Sequence, residues 1–423
     1  MRTYPIGNGM LTARISGQFA ALMDALQFQG ANRDGLLELD DHGWEELLNI
    51  CDMAHLTLTL AQLPSPGFPE WVVARLDKNM ADNAVRWKRI QATYTEAAGA
   101  LRMARVPHVV LKGFTLATDY APDPRFRMQS DVDLFCPPEF IDSAVAALIE
   151  IGYTPMENQN CRVADHVPAL MRMGGAWRGN MYDPDLPVGI EIHFCLWNES
   201  LSQIPVPEAN LFWNRRIERR FGDFAFRSLN AVDQLGYFAL HLLRDVFSGD
   251  WIVHHVYELA AFLDRRASDD AFWAEWHNAH SERLRALEAL AFLLAQAWFS
   301  PRLSRAARAE TEALPLPQRR WVERLGGCPL EVIFRRAKEG RLLQFVLAES
   351  LESKANAVRR ALLPATLAIP RGPALRVRNR RQGASRPGSQ LVDTLGFLAH
   401  RLQTNLRATA NLVAHGLALY LPQ

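Results

Sequence analysis

The chain has few of the features that assign a protein quickly. Its five cysteines, Cys51, Cys136, Cys161, Cys195 and Cys328, are odd in number and widely spaced, and no two form a Cys-x-x-Cys pair. That usage argues against a disulfide framework or a cysteine zinc site and suits a reducing compartment, so a cytoplasmic location is expected. The opening residues MRTYPIGNGM lack the apolar stretch of a secretion signal. The most apolar run, Ala289 to Phe299, is broken by Gln296 and is too short to cross a bilayer, so stable membrane insertion is not expected. Charge of one sign is also lacking. Formal net charge is +1 over 423 residues, which excludes a chain that binds nucleic acid by its overall field. No internal repeat is visible, and no His-Glu-x-x-His pattern is formed.

What is present is an ordinary globular composition, 49% hydrophobic and 22% charged, long enough for two or three cores. Residues 1–100 read as helical. Trp44, Leu47, Leu48, Cys51 and Met53 recur at helical spacing, Pro64 to Pro69 breaks the pattern, and a long helix is expected over Trp71 to Ala104. His55 and Trp87 fall within these helices, where packing roles suffice for both.

The stretch VPHVVLKGFTLATDYAPDPRFRMQSDVDLF, from Val106 to Phe135, organises the chain. It reads as a strand ending at Leu111, a turn at Lys112-Gly113, an amphipathic helix from Phe114 to Tyr120, a proline-rich loop, and a second strand. Side chains alternate along a strand, so Asp131 and Asp133 share one face while Val132 and Leu134 share the other. Two carboxylates converging on one face repel unless a cation lies between them, and Mg²⁺ is the natural hard one. A helix follows from Pro138 to Gly152, then a polar, glycine-rich region over 157–186 that reads as a hairpin or loop. Val188 to Phe194 is the next strand. Its apolar face holds Ile190, Ile192 and Phe194, and its other face holds Glu191 and His193. Glu191 is therefore a candidate third carboxylate.

From Val206 to His280 the pattern is helical. Ala231 to Asp245 and Trp251 to Leu263 are the clearest segments, with Asn230 placed to cap the first. Further helices are expected over 281–299, 302–312 and Leu330 to Ser350. His241, Arg244, His254, His255 and Glu258 lie on them without a metal-ligand spacing. Arg359 to Arg386 holds eight arginines and no acidic residue. Amphipathic helical spacing follows over Gln390 to Leu421. A solvated linker to a packing helix explains this tail, and an RNA or anionic-membrane contact is the alternative.

Three carboxylates on adjacent strands can hold two Mg²⁺ ions, which clamp the attacking and leaving oxygens of a displacement at phosphorus. Gly113 would let the backbone approach a phosphate, Lys112 would add a point charge, and Arg127 a forked donor. Each part alone is weak, since a lone Asp-x-Asp arises by chance and Arg127 could simply pair with Asp123. Their order is the informative feature.

The ordered set LKGFTLATDYAPDPRFRMQSDVDLF, a helix ending at IGY, and GIEIHF resembles the uncharacterised nucleotidyltransferase family of bacterial biosynthetic gene clusters, within the DNA polymerase β-like nucleotidyltransferase superfamily. The likeness spans roughly residues 40–280. It implies that Asp131, Asp133 and Glu191 are catalytic and metal-binding, and that Lys112, Gly113 and Arg127 line the nucleotide phosphates, with Ser130 expected beside them. His193, on the same face as Glu191, is expected to be an acceptor-side base, a phosphate contact or a hydrogen-bonded strand residue. The superfamily more often has Gly-Ser at the turn and Asp as third carboxylate, whereas this chain has Lys-Gly and Glu.

The expected fold is α+β: a small mixed sheet of about five strands embedded in a mostly helical chain. The expected division is N-terminal helices over 1–100, the nucleotidyltransferase core over 101–200, a helical domain over 201–350, and a basic linker with amphipathic helices over 351–423. The expected activity is Mg²⁺-dependent transfer of an NMP group from an NTP to an acceptor on a small molecule or peptide natural product. The alternatives are modification of tRNA or protein, and a non-catalytic nucleotide-binding scaffold. The acceptor is unknown, and a nucleic-acid partner is possible but not favoured.

Overall fold

The computed structural model describes residues 1–7, 9, 11–156, 165–172, 180–335, 337–362, 403 and 406–416. Among the described residues, nine strands form two sheets. Strands β1 (Arg2–Ile6) and β2 (Leu11–Ile15) make an antiparallel pair. The main sheet is mixed and seven-stranded. It contains β3 (Val109–Val110), β4 (Asp131–Phe135), β5 (Thr154–Pro155), β6 (Leu170–Met171), β7 (Gly189–His193), β8 (Ile217–Phe221) and β9 (Phe224–Ser228), in the order β5-β6-β7-β4-β3-β9-β8. The α+β class is as expected, but the sheet is larger than five strands. Two-residue strands give almost no periodic signal. The β8–β9 hairpin lies inside a stretch that reads as helical, because Ile217–Phe221 is half charged and mostly exposed, as an edge strand is.

The alternation along β4 and β7 decides what each sheet face does. Val132, Leu134, Ile190 and Ile192 are fully buried. They pack with Ile90, Tyr94, Ala97 and Leu101 of the helix Glu70–Met103 and with Ala144 and Leu148 of the helix Ile141–Glu150. Burying four such side chains contributes on the order of 6–12 kcal/mol before the entropy of ordering is subtracted. The sheet is thereby clamped to the long helix, and its polar face is left for chemistry. That face meets the helix Ala231–Ser248, whose N-cap is Asn230, its Oδ1 accepting from the Asp233 N–H at 2.7 Å.

A second, larger core joins N-terminal residues such as Phe19, Trp44, Leu48 and Val72 to helices after residue 200, including Leu240, Phe262, Phe292 and Trp298. The expected long helices are present as Asp41–Ala54, Glu70–Met103, Glu282–Phe299 and Arg305–Ala313. Between Leu330 and Ser350 the helix is shorter, Gly340–Leu347, and follows a 3-10 turn at Cys328–Ile333. The segment after Gly113 is a 3-10 turn, Gly113–Leu116, rather than an amphipathic helix to Tyr120. Gly113, at φ +64, is outside the right-handed helical region and starts the segment as a tight turn. Most of the arginine-rich segment and part of 157–186 lie outside the described residues, and of Gln390 to Leu421 only residue 403 and the helical stretch 406–416 are described.

Candidate active site

Asp131, Asp133, Glu191 and His193 come together because β4 and β7 pair in parallel, with Asp133 opposite Glu191 and Asp131 opposite Gly189. A side chain at Gly189 would lie against Met171 Cγ and Asp131 Cβ, 3.8 and 3.9 Å from its Cβ. His193 Nε2 lies 3.0 Å from Oδ1 of Asp133 and 3.9 Å from Oε2 of Glu191. Its Nδ1 lies 3.7 Å from Oδ2 of Asp165. With a carboxylate at each nitrogen, His193 is raised above its usual range although burial opposes this. The Nε2 contact with Asp133 is a hydrogen bond, whereas the wider Nδ1 contact with Asp165 is electrostatic only.

Lys112 lies two residues after β3 and reaches across to Asp133, Nζ to Oδ1 2.9 Å. Burial alone would lower the lysine, but Asp133 holds it above its ordinary range. Asp133 in turn is held far below the carboxylate range by Lys112 and His193 against its own burial. Asp131 behaves oppositely. Burial, then the charges of Asp133 and Glu191, push it up to about 7. The pocket thus holds more carboxylate charge than its built-in cations neutralise.

Gly113 has φ +64, and a Cβ there would fall 2.1 Å from Nε2 of Gln129. The Gln129 amide donates to the Asp131 carbonyl at 2.6 Å, so the glycine turn and the carboxylate strand are built against each other. Behind them Arg86, fully buried, donates to the carbonyls of Gln129 (3.0 Å), Leu186 (2.8 Å) and Ser130 (3.3 Å). Ser130 is exposed, and its hydroxyl hydrogen-bonds Asp131. Arg127 does not pair with Asp123, which Arg125 takes at 2.7 Å. It turns inward and is gripped by Glu258, Nε to Oε1 2.6 Å and Nη2 to Oε2 3.4 Å.

Four residues outside the expected set complete the site. Asp165 accepts from Arg244, Arg244 and Lys112 both reach His241, and Asp245 lies behind His241. The available signal is His241, Arg244 and Asp245 at helical spacing within a helix that is mostly apolar and buried nearly all round.

Among the described residues, three groups place three possible donor atoms within 4.8 Å of one another: Asp133, Glu191 and His193; His241, Asp245 and His255; Cys328, Glu339 and His415. The first offers the two carboxylates of Asp133 and Glu191 to a hard divalent ion, and Asp131 shares their strand face. His193 is excluded as a donor atom there, because its Nε2 points a proton at Asp133. The described residues contain no helix long and apolar enough to cross a membrane.

A family model described as an uncharacterised nucleotidyltransferase matches residues 39–300, and the chain belongs to that family. No curated protein matches it. The matched span covers the long helix, the carboxylate strands and the helices that bear His241 and Glu258. The protein is accordingly an enzyme of the nucleotidyltransferase kind, with an NTP as donor.

Proposed function

We propose that the chain transfers an NMP group from an NTP to a hydroxyl or similar acceptor on a small molecule or peptide natural product, using Asp131, Asp133 and Glu191 as the carboxylates that hold Mg²⁺. The observation that carries this reading is the pairing of Asp133 with Glu191 across β4 and β7, beside an Asp131 pushed up to about 7 by its neighbours. In the reaction the acceptor oxygen bonds to the α-phosphorus, the bond to the pyrophosphate oxygen breaks, and the acceptor proton is lost to solvent. Bound Mg²⁺ would neutralise phosphate charge and make the acceptor hydroxyl more acidic.

The protein's own groups prepare that step. Two contacts occupy the Lys112 ammonium, one to Asp133 and one to His241, which leaves a third N–H for a phosphate oxygen. Gly113 brings backbone close to the same place without a side chain in the way. His193, gripped between Asp133 and Asp165, orients Asp133; that is the role its two carboxylate neighbours support, in preference to a base on the acceptor side. Arg127 anchors the loop before β4 through Glu258, and Ser130 fixes Asp131.

The test is calorimetry of the four NTPs with Mg²⁺ on the wild type and on the double variant Asp131→Asn/Asp133→Asn, followed by pyrophosphate release with candidate acceptors. Metal-dependent binding that vanishes in the double variant supports the assignment. Tight Mg²⁺-dependent NTP binding with no pyrophosphate from any acceptor would move the protein to a non-catalytic nucleotide-binding role.

A further inference from the structure

Behind the carboxylates, six side chains close a ring of polar contacts. Asp133 Oδ1 meets Lys112 Nζ at 2.9 Å, and Lys112 Nζ meets His241 Nε2 at 3.1 Å. The same His241 Nε2 meets Arg244 Nη2 at 2.7 Å. Arg244 Nη1 donates to Asp165 Oδ2, which faces His193 Nδ1 at 3.7 Å, and His193 Nε2 returns to Asp133 Oδ1 at 3.0 Å. Outside the ring, His241 Nδ1 lies 3.0 Å from Asp245 Oδ2.

These contacts fix the state of His241. Lys112 and Arg244 carry only donors, so Nε2 must offer its lone pair to both. The single ring proton then sits on Nδ1 and points at Asp245. Burial, with Arg244 next, lowers the imidazole to about 3, which agrees with a neutral ring. The same tautomer removes the Nδ1 lone pair, so His241, Asp245 and His255 do not make a metal site despite their spacing. A neutral acceptor backed by a carboxylate gives two adjacent cations a shared partner. Asp133 on Lys112, with Asp165 and Asp245 on Arg244, offsets most of the repulsion between ammonium and guanidinium, and His241 fixes how the two sit side by side.

We infer that His241 is a positioning residue that holds Lys112 and Arg244 side by side, so that the N–H groups left over by their carboxylate partners face the polyphosphate of the donor. The inference rests on the nucleotidyl-transfer reading and deepens it. Paired cations recognise a chain of phosphates, so the donor is selected as a triphosphate by its charge as well as by its α-phosphorus. Asp245 holds both His241, through Nδ1, and Arg244, whose Nη2 lies 3.1 Å from its Oδ1, and Asp165 holds the other end of Arg244.

Two substitutions separate this role from simple packing. His241→Gln keeps an oxygen near the place of Nε2, where it can accept from both cations. His241→Asn keeps a polar atom only near the place of Nδ1. Calorimetry with Mg²⁺ and an NTP, and separately with inorganic tripolyphosphate, reads the difference. Losing a charge-assisted hydrogen bond predicts that His241→Asn weakens tripolyphosphate binding about tenfold, with His241→Gln remaining close to the wild type. Equal behaviour of the two variants, with the wild type binding both probes, overturns the inference and leaves the nucleotide donor standing. A wild type that binds neither probe overturns both. Imidazole ¹⁵N shifts of the wild-type protein test the same point without any variant: His241 must show the Nδ1–H tautomer, and an Nε2–H tautomer would overturn the inference.

Discussion

The Lys112 ammonium lies 2.9 Å from Oδ1 of Asp133, so the carboxylate expected to take a divalent ion already has a counterion of its own. Both side chains are largely buried, which strengthens the pair relative to a surface one. Lys112 and a metal therefore compete for Asp133 until a phosphate draws the lysine away. Lys112→Met should tighten Mn²⁺ binding in the absence of nucleotide by roughly tenfold, the direction set by removing a cation next to the site. The same variant should bind Mg²⁺-NTP more weakly than the wild type. Mn²⁺ titration followed by electron paramagnetic resonance checks the first effect. Unchanged or weaker Mn²⁺ binding would show that Asp133 is not the shared partner.

Gly113 and Gln129 allow a two-part test of the turn. At φ +64 an alanine is strained by about 1–2 kcal/mol, and its Cβ would also strike Gln129 Nε2, 2.1 Å away. Gly113→Ala should lower the unfolding free energy by on the order of 2–3 kcal/mol in urea melts. Adding Gln129→Ala should recover the collision but not the strain. If the double variant is no more stable than Gly113→Ala alone, the close approach of these two residues is wrong.

Much of this site is legible in the chain's residue order, because alternation on a strand is a short-range signal. The shared face of Asp131 and Asp133, the apolar face of Val132 and Leu134, and the opposite placement of Ile192 and Glu191 all follow from a period of two. Gly113 and the Asn230 cap are readable for similar local reasons. Asp165 is not, since it lies in a polar stretch without periodicity. The joint role of His241, Arg244 and Asp245 is not, since polar groups on a helix ordinarily form its solvent face. Here that face lies against the carboxylate strands, a fact set by packing between segments far apart in the chain. Arg127 reads as a phosphate ligand from its place before Asp131, and only the fold reveals Glu258 beside it.

A buried histidine far from this site sets a pH dependence of stability. His280 lies between Glu288, 3.0 Å from Nδ1, and Asp233, 3.3 Å from Nε2, and all three are closed off from solvent. Against its burial, Glu288 and then Asp233 push the imidazole up to about 9, from an ordinary value of 6.5. The folded state therefore holds this proton more tightly than the unfolded chain does. The resulting stability is fully present below pH 6.5 and is lost as pH rises through about 9. Denaturant midpoints should fall across that window by an amount on the order of 2 kcal/mol, and His280→Gln should flatten the slope. A wild-type profile that is flat from neutral pH to pH 9 would exclude a protonated His280 in the folded protein.

Arg127 and Glu258 form the last pair with a decidable role. Their side chains are 12% and 10% exposed, and the fork of Arg127 spans both carboxylate oxygens. A pair so enclosed is costly to break from one side, because the partner left behind is a buried charge without a counterion. Glu258→Gln and Arg127→Met should each destabilise by about 3 kcal/mol, whereas the combined Arg127→Met/Glu258→Leu chain should lose much less than the sum. Nucleotide affinity separates anchoring from phosphate contact. If Arg127 only anchors the loop, Glu258→Gln leaves Mg²⁺-NTP binding nearly unchanged once the protein is folded. If the guanidinium is held in reserve for the donor, releasing it from Glu258 tightens binding, and Arg127 returns to the phosphate-binding set.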